Sequence, residues 1–157
     1  MQNRYQSTST MMLGLMVLGM LSGNALVRAE TAVHPFPLRA VRLLDGPFLD
    51  AQTIDLQYIL SHDPNRFLAP YRREAGLPSD VNAYGDWESG GLDGHIGGHY
   101  LTALAQMAVI TDNAEVQRRL DYMISELAKC QQANGNGYIG GVPNSQALWQ
   151  QIAAGQP

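Results

Sequence analysis

The chain has one cysteine, Cys130, in 157 residues, so no intramolecular disulfide framework holds its fold. Basic residues are few as well: 10 Lys and Arg stand against 14 Asp and Glu, the net charge is −4, and no basic run occurs. That balance lacks the electrostatic footprint of a nucleic-acid partner. No apolar run reaches the roughly 20 residues of a comfortable membrane span, so no stable membrane span is expected. Neither glycine-rich stretch ends in the G-K-[ST] of a phosphate-cradling loop.

What is present is a chain 45% apolar and 15% charged, able to bury a core and unlike a disordered tail. Its first residues resemble an export signal. Arg4 supplies the positive end, Met11 to Leu21 is uncharged and apolar, and Val27-Arg28-Ala29 offers small residues at a cleavage site. Residues 1–29 are therefore read as a signal peptide cut after Ala29, with Ala25 the alternative and a retained N-terminal anchor the competing reading. A cleaved signal implies a periplasmic or extracellular protein.

The remainder, residues 30–157, reads as all-α. Asp45-Gly46-Pro47 opens a helix expected from about Pro47 to Ser61, with Phe48, Ala51, Ile54, Tyr58 and Ile59 at helical spacing. His62-Asp63-Pro64-Asn65 stops it. Residues 66–85 are interrupted by proline and glycine and are expected to form a long connection rather than one long helix. A second helix is expected from Asp93 to Ile110 and a third from Ala114 to Ala133. Asp112 is the expected N-cap of the third, Glu115 completes a capping box, and Val116, Leu120, Met123, Leu127 and Cys130 form the apolar stripe. The short link Thr111-Asp112-Asn113 folds these two helices into an antiparallel hairpin. Asn134-Gly135 ends the third helix, and Ala147, Leu148, Gln151 and Ile152 begin a fourth.

Chemistry concentrates in WESGGLDGHIGGHYLTALA, Trp87 to Ala105. At 100° per residue His95, His99, Thr102 and Gln106 fall within about 60° of one another, opposite Ile96, Tyr100, Leu104, Met107 and Ala108. Gly94, Gly97 and Gly98 each cost a helix interior about 1 kcal/mol relative to alanine, which calls for a close approach of backbone or ligand. Three readings of His95 and His99 stand: a two-histidine metal site, histidines satisfied within the core, or residues lining a sugar cleft. Trp87, Glu88 and Asp93 add the aromatic face and carboxylates of a carbohydrate pocket, against the alternative that Trp87 packs in the core and Glu88 or Asp93 caps a helix. The two carboxylates are also a candidate glycosidase acid and base. Tyr138, in the second glycine-rich stretch NGNGYIGG, either stacks on a sugar or plugs the hairpin end. Cys130, on an apolar stripe, is read as an inert buried thiol.

Four blocks in order, LLDGPFLDAQ, DPNRFLAPYRREAGL, WESGGLDGHIGGHYLTALA and RRLDYMISELAKCQQANGNGYIGGVP, resemble the N-terminal part of the β-L-arabinofuranosidase family, glycoside hydrolase family 127 and its relatives. The resemblance implies helical hairpins forming a partial (α/α)6 toroid, in secreted enzymes that remove terminal L-arabinofuranose from plant-derived glycans. It implies a carbohydrate substrate, arabinofuranosides, and a zinc-held cysteine nucleophile with glutamate as acid/base in the complete enzyme. Zinc is assigned to no residue of this chain and no catalytic residue is carried over. Trp87, Asp93, His95 and His99 are the expected substrate-binding residues. At about 25 to 30 residues per hairpin of three- to four-turn helices, two of six hairpins are expected here. A chain of two hairpins is expected to be inactive and poorly stable alone. The rival functional readings are a small periplasmic saccharide- or metal-binding helical module without catalysis, and the product of an interrupted gene.

Overall fold

A computed structural model describes residues 34–156. The signal peptide expected over residues 1–29 lies outside them. Among the described residues there are five α-helices and two short 3-10 turns, and no strand. The helices are α1 (Pro47–Ser61), α2 (Pro64–Glu74), α3 (His95–Thr111), α4 (Ala114–Asn134) and α5 (Ser145–Ala153); the turns are Leu38–Ala40 and Asp86–Glu88. No helix is long and apolar enough to cross a membrane.

The all-α expectation holds, and α1, α3, α4 and α5 lie where the periodicity puts them to within two residues at each N-terminus. The α3–α4 hairpin is also as expected: among the described elements its two helices form the most extensive interface. Gly135, at φ 72°, ends α4 by donating to Gln131 and Gln132. The cap at the other end differs from expectation. Asn113, not Asp112, accepts the N–H groups of Glu115 and Val116 at 3.0 and 3.1 Å. Asp112 takes the left-handed turn between the helices, at φ 52°, and pairs with Arg42 at 2.9 Å. Glu115 has no capping role and instead binds Arg118 and Arg119, each at 2.7 Å.

The main correction is α2, which the punctuation of residues 66–85 concealed. Asp63 caps it by accepting Asn65 N–H at 2.9 Å, and Pro64 sits in its first turn, where the missing N–H is harmless. Pro70 lies inside it, at a cost of about 3 kcal/mol. Burial of Phe67 and Leu68, at 3% and 0% exposure, returns about 1.5–3 kcal/mol for each side chain and outweighs the proline. Arg72 then pins α2 to α4, donating to Glu126 at 2.7 Å, Tyr122 at 3.0 Å and Asn65 at 3.2 Å.

The core gathers between α2, α3 and α4: Phe67, Leu68, Tyr100, Leu104, Met107, Val116 and Met123, joined by Ile59 of α1. The expected stripe of α4 is present, with Val116, Met123 and Cys130 buried and Leu120 and Leu127 partly so. The stripe of α1 is not: Ile59 is buried, whereas Phe48, Ile54 and Tyr58 are exposed.

Candidate functional site

The site is built on the start of α3 and on the turn before it. Glu88 is 1% exposed. Its Oε2 accepts Gly94 N–H at 3.1 Å, and its Oε1 accepts Ile96 N–H and, at 3.3 Å, Gly97 N–H. A carboxylate here satisfies donors that a helix start leaves unpaired and lies at the positive end of the helix dipole. The capping alternative for Glu88 is therefore the one observed, although Glu88 reaches forward from the 3-10 turn instead of sitting at the N-cap position itself, which is Gly94 at φ 91°.

Two of the three glycines in this helix start have a steric reason. A Cβ on Gly94 would meet the Tyr71 ring at 2.9 Å, and one on Gly97 would meet Phe67 O and Tyr71 at 3.2 Å. Tyr71 in turn donates its hydroxyl to Gly94 O at 2.6 Å. Burial, reinforced by the charge of Glu88, pushes the Tyr71 phenol up to about 12, so it remains a hydrogen-bond donor. Gly98 faces open space, and no packing explains it.

Three of the four expected binding residues come together on the surface. Trp87, 58% exposed, has its ring 5.5 Å from that of His95, and His95 and His99 lie 4.7 Å apart, edge to face. Their Nε2 atoms are 3.2 Å apart, so one imidazole donates to the other. Both histidines are exposed, with Thr102 and Gln106 on the same stripe. Asp93 is elsewhere: 4% exposed, it binds Arg73 at 2.5 Å and accepts Gly91 N–H at 3.0 Å. The carboxylates of Glu88 and Asp93 are thus both committed to internal partners and withdrawn from solvent.

Next to Trp87 opens a cavity of about 590 Å³, lined by His62, Phe67, Tyr84, Asp86, Glu88 and Ile96 among others. His62 is held by Nδ1–H donation to Tyr58 O at 2.8 Å, and its ring stacks on Phe67 at 5.6 Å. Phe67 stacks on Tyr100 at 4.4 Å, and Arg66 covers Tyr84 at 3.9 Å. Asp86 sits at φ 57°, a strained conformation for a residue with a side chain. Sequence reasoning missed this wall, because His62, Phe67 and Tyr84 come from α1's end, α2 and the irregular connection, and no shared periodicity links them.

The second glycine-rich stretch meets the first. A Cβ on Gly141 would lie 2.9 Å from both Asp93 O and Pro70 Cβ, and Gly141 O accepts from Arg73 at 3.3 Å. Tyr138 donates its hydroxyl to Ser145 at 2.6 Å, and Ser145 donates to Glu74 at 3.3 Å. Tyr138 therefore ties the loop to the start of α5, and it also lines a separate cavity with Trp149.

The family model of the β-L-arabinofuranosidase, GH127 catalytic domain, matches residues 40–155. The chain belongs to that family. No curated protein matches this GH127 chain. The zinc thiolate that the family implies does not fit the described residues. Cys130 is 0% exposed, burial pushes its thiol above the ordinary range, and among the described residues no three His, Cys, Asp or Glu are grouped so that they could hold a metal ion.

Proposed function

We propose that this chain forms part of a glycoside hydrolase that removes terminal L-arabinofuranose from plant-derived glycans, and that its share of the work is to hold the sugar. The observation that carries this reading is the exposed row Trp87–His95–His99 beside an aromatic cavity, in a chain that belongs to the GH127 family over residues 40–155. An indole face offers a surface on which the C–H face of a furanose can stack, and imidazole nitrogens bond its hydroxyls. Asp93 serves the same site indirectly. It holds the Gly91–Gly94 turn that follows Trp87 and ties that turn to Arg73 of α2.

Cys130 is not assigned the attacking role. A buried thiol with its pKa raised is a poor nucleophile, and the zinc-held cysteine of the family reaction is placed on no residue of this chain. The hairpin α3–α4 supports a toroidal surround in which α3 faces the sugar. Export, read from residues 1–29, brings the protein to its polymeric substrate in the periplasm or outside the cell.

Titration of the chain with L-arabinose and with a methyl arabinofuranoside, followed by tryptophan fluorescence, tests the binding role. Trp87→Ala is expected to weaken binding about tenfold, the worth of one stacked ring. Absence of saccharide binding in the wild-type chain sinks the proposal. The chain alone is expected to release no arabinose from an aryl arabinofuranoside, and release would refute the division of labour.

A further inference from the structure

We propose that His95 and His99 form an open, two-imidazole chelate for one late transition-metal ion, with nitrogen donors and no thiolate. The argument begins with spacing: residues four apart on a helix are neighbours on one face. Here the neighbours also converge. Their Nε2 atoms, the outward nitrogens of both rings, stand 3.2 Å apart. An ion 2.0–2.1 Å from each nitrogen would subtend an angle of about 100° between them, close to the tetrahedral value. The ion replaces the proton the two rings share.

Access is open as well. Both histidines are exposed, and the adjoining Gly98 has open space where a Cβ would project. The backbone beneath is fixed by Glu88, which binds the N–H groups of Gly94, Ile96 and Gly97, so the helix turn that carries the two rings is set before the metal arrives. With no third His, Cys, Asp or Glu in reach among the described residues, the remaining coordination positions take water or a ligand oxygen. Imidazole donors select copper, nickel and zinc over magnesium and calcium.

The experiment is calorimetric titration of the full, tag-free chain with Cu²⁺, Ni²⁺, Zn²⁺ and Mg²⁺ separately, with the fluorescence of a W149F background, whose one tryptophan is Trp87, recorded in parallel. One ion per chain is expected, tightest for Cu²⁺ and undetectable for Mg²⁺. Copper is expected to quench Trp87, whose ring lies 5.5 Å from His95. H95Q and H99Q should each weaken binding by at least about tenfold, since each removes half of the protein's donor set, while H34Q leaves the calorimetric affinity unchanged. Circular dichroism checks that the variants keep their helix content, and both changed side chains are exposed. Undiminished binding in H95Q and H99Q marks an adventitious ion only and overturns the proposal, as does equal binding of Mg²⁺. The titration contains no sugar, so its failure leaves the saccharide reading standing, and failure of saccharide binding leaves this one standing.

Discussion

Glu88 gives the sharpest case of one residue organising others. Its carboxylate serves three backbone donors at the start of α3, and those donors have no other acceptor if it is removed. Glu88→Ala is expected to cost about 2–3 kcal/mol in urea denaturation, the range for buried groups left unsatisfied, and Glu88→Gln less, because the amide oxygen still accepts. Equal stability of Glu88→Ala and wild type would show that water replaces the cap. The glycines allow a paired experiment. Gly94→Ala combines φ 91° with a Tyr71 contact at 2.9 Å and is expected to destabilise by about 1–3 kcal/mol. Gly98→Ala, in a helix and facing open space, is expected to stabilise by up to about 1 kcal/mol. The two thermal midpoints should move in opposite directions. At this scale the sequence was partly legible: the helix wheel put His95 and His99 on one face, and Trp87 was read beside them. The same pattern places Asp93 with them, but its partner Arg73 lies on α2, a helix that the sequence pattern does not reveal.

Among the elements, α4 carries a charge device of its own. Arg118 and Arg119 hold the Glu115 carboxyl down at about 2, against an ordinary value of 4.5. A carboxyl with a depressed folded pKa contributes stability that is full above its unfolded value and is lost as pH falls toward the folded one. Thermal stability is therefore expected to fall between pH 4.5 and about 2, and to fall less in Glu115→Gln. The Glu115 side chain is 38% exposed, so the effect is small and shrinks in high salt; a pH dependence identical in wild type and variant would refute it. The elements found from sequence were those with one dominant signal. The helices α1, α3 and α4 announce themselves by apolar period and by flanking breakers. For α2 the local signals conflict, since Pro70 argues against a helix and only the burial of Phe67 and Leu68 against α3 and α4 decides for it.

At the scale of the molecule, the apolar surface is unevenly covered. Phe48, Ile54 and Tyr58 on α1 and Leu148, Trp149 and Ile152 on α5 are 48–77% exposed, while the core is confined to α2, α3, α4 and one residue of α1. Exposed apolar side chains on two helices favour association in water. The isolated chain is expected to bind a hydrophobic dye and to self-associate with rising concentration in sedimentation velocity. Monomeric behaviour without dye binding would show that these side chains find cover within the chain.

The sequence by itself determined the helical class, the α3–α4 hairpin and the polar face of α3, because each follows from period, capping residues and loop length within a short span. It also carried the family, through blocks that remain recognisable without any knowledge of their contacts. Only the tertiary structure decided which carboxylates are withdrawn into backbone and arginine contacts, that Gly141 packs on Asp93, and that His62, Phe67 and Tyr84 form a wall beside Trp87. Those outcomes depend on which surfaces meet when distant segments pack, and burial energy at such meetings exceeds the local preferences that a sequence pattern records.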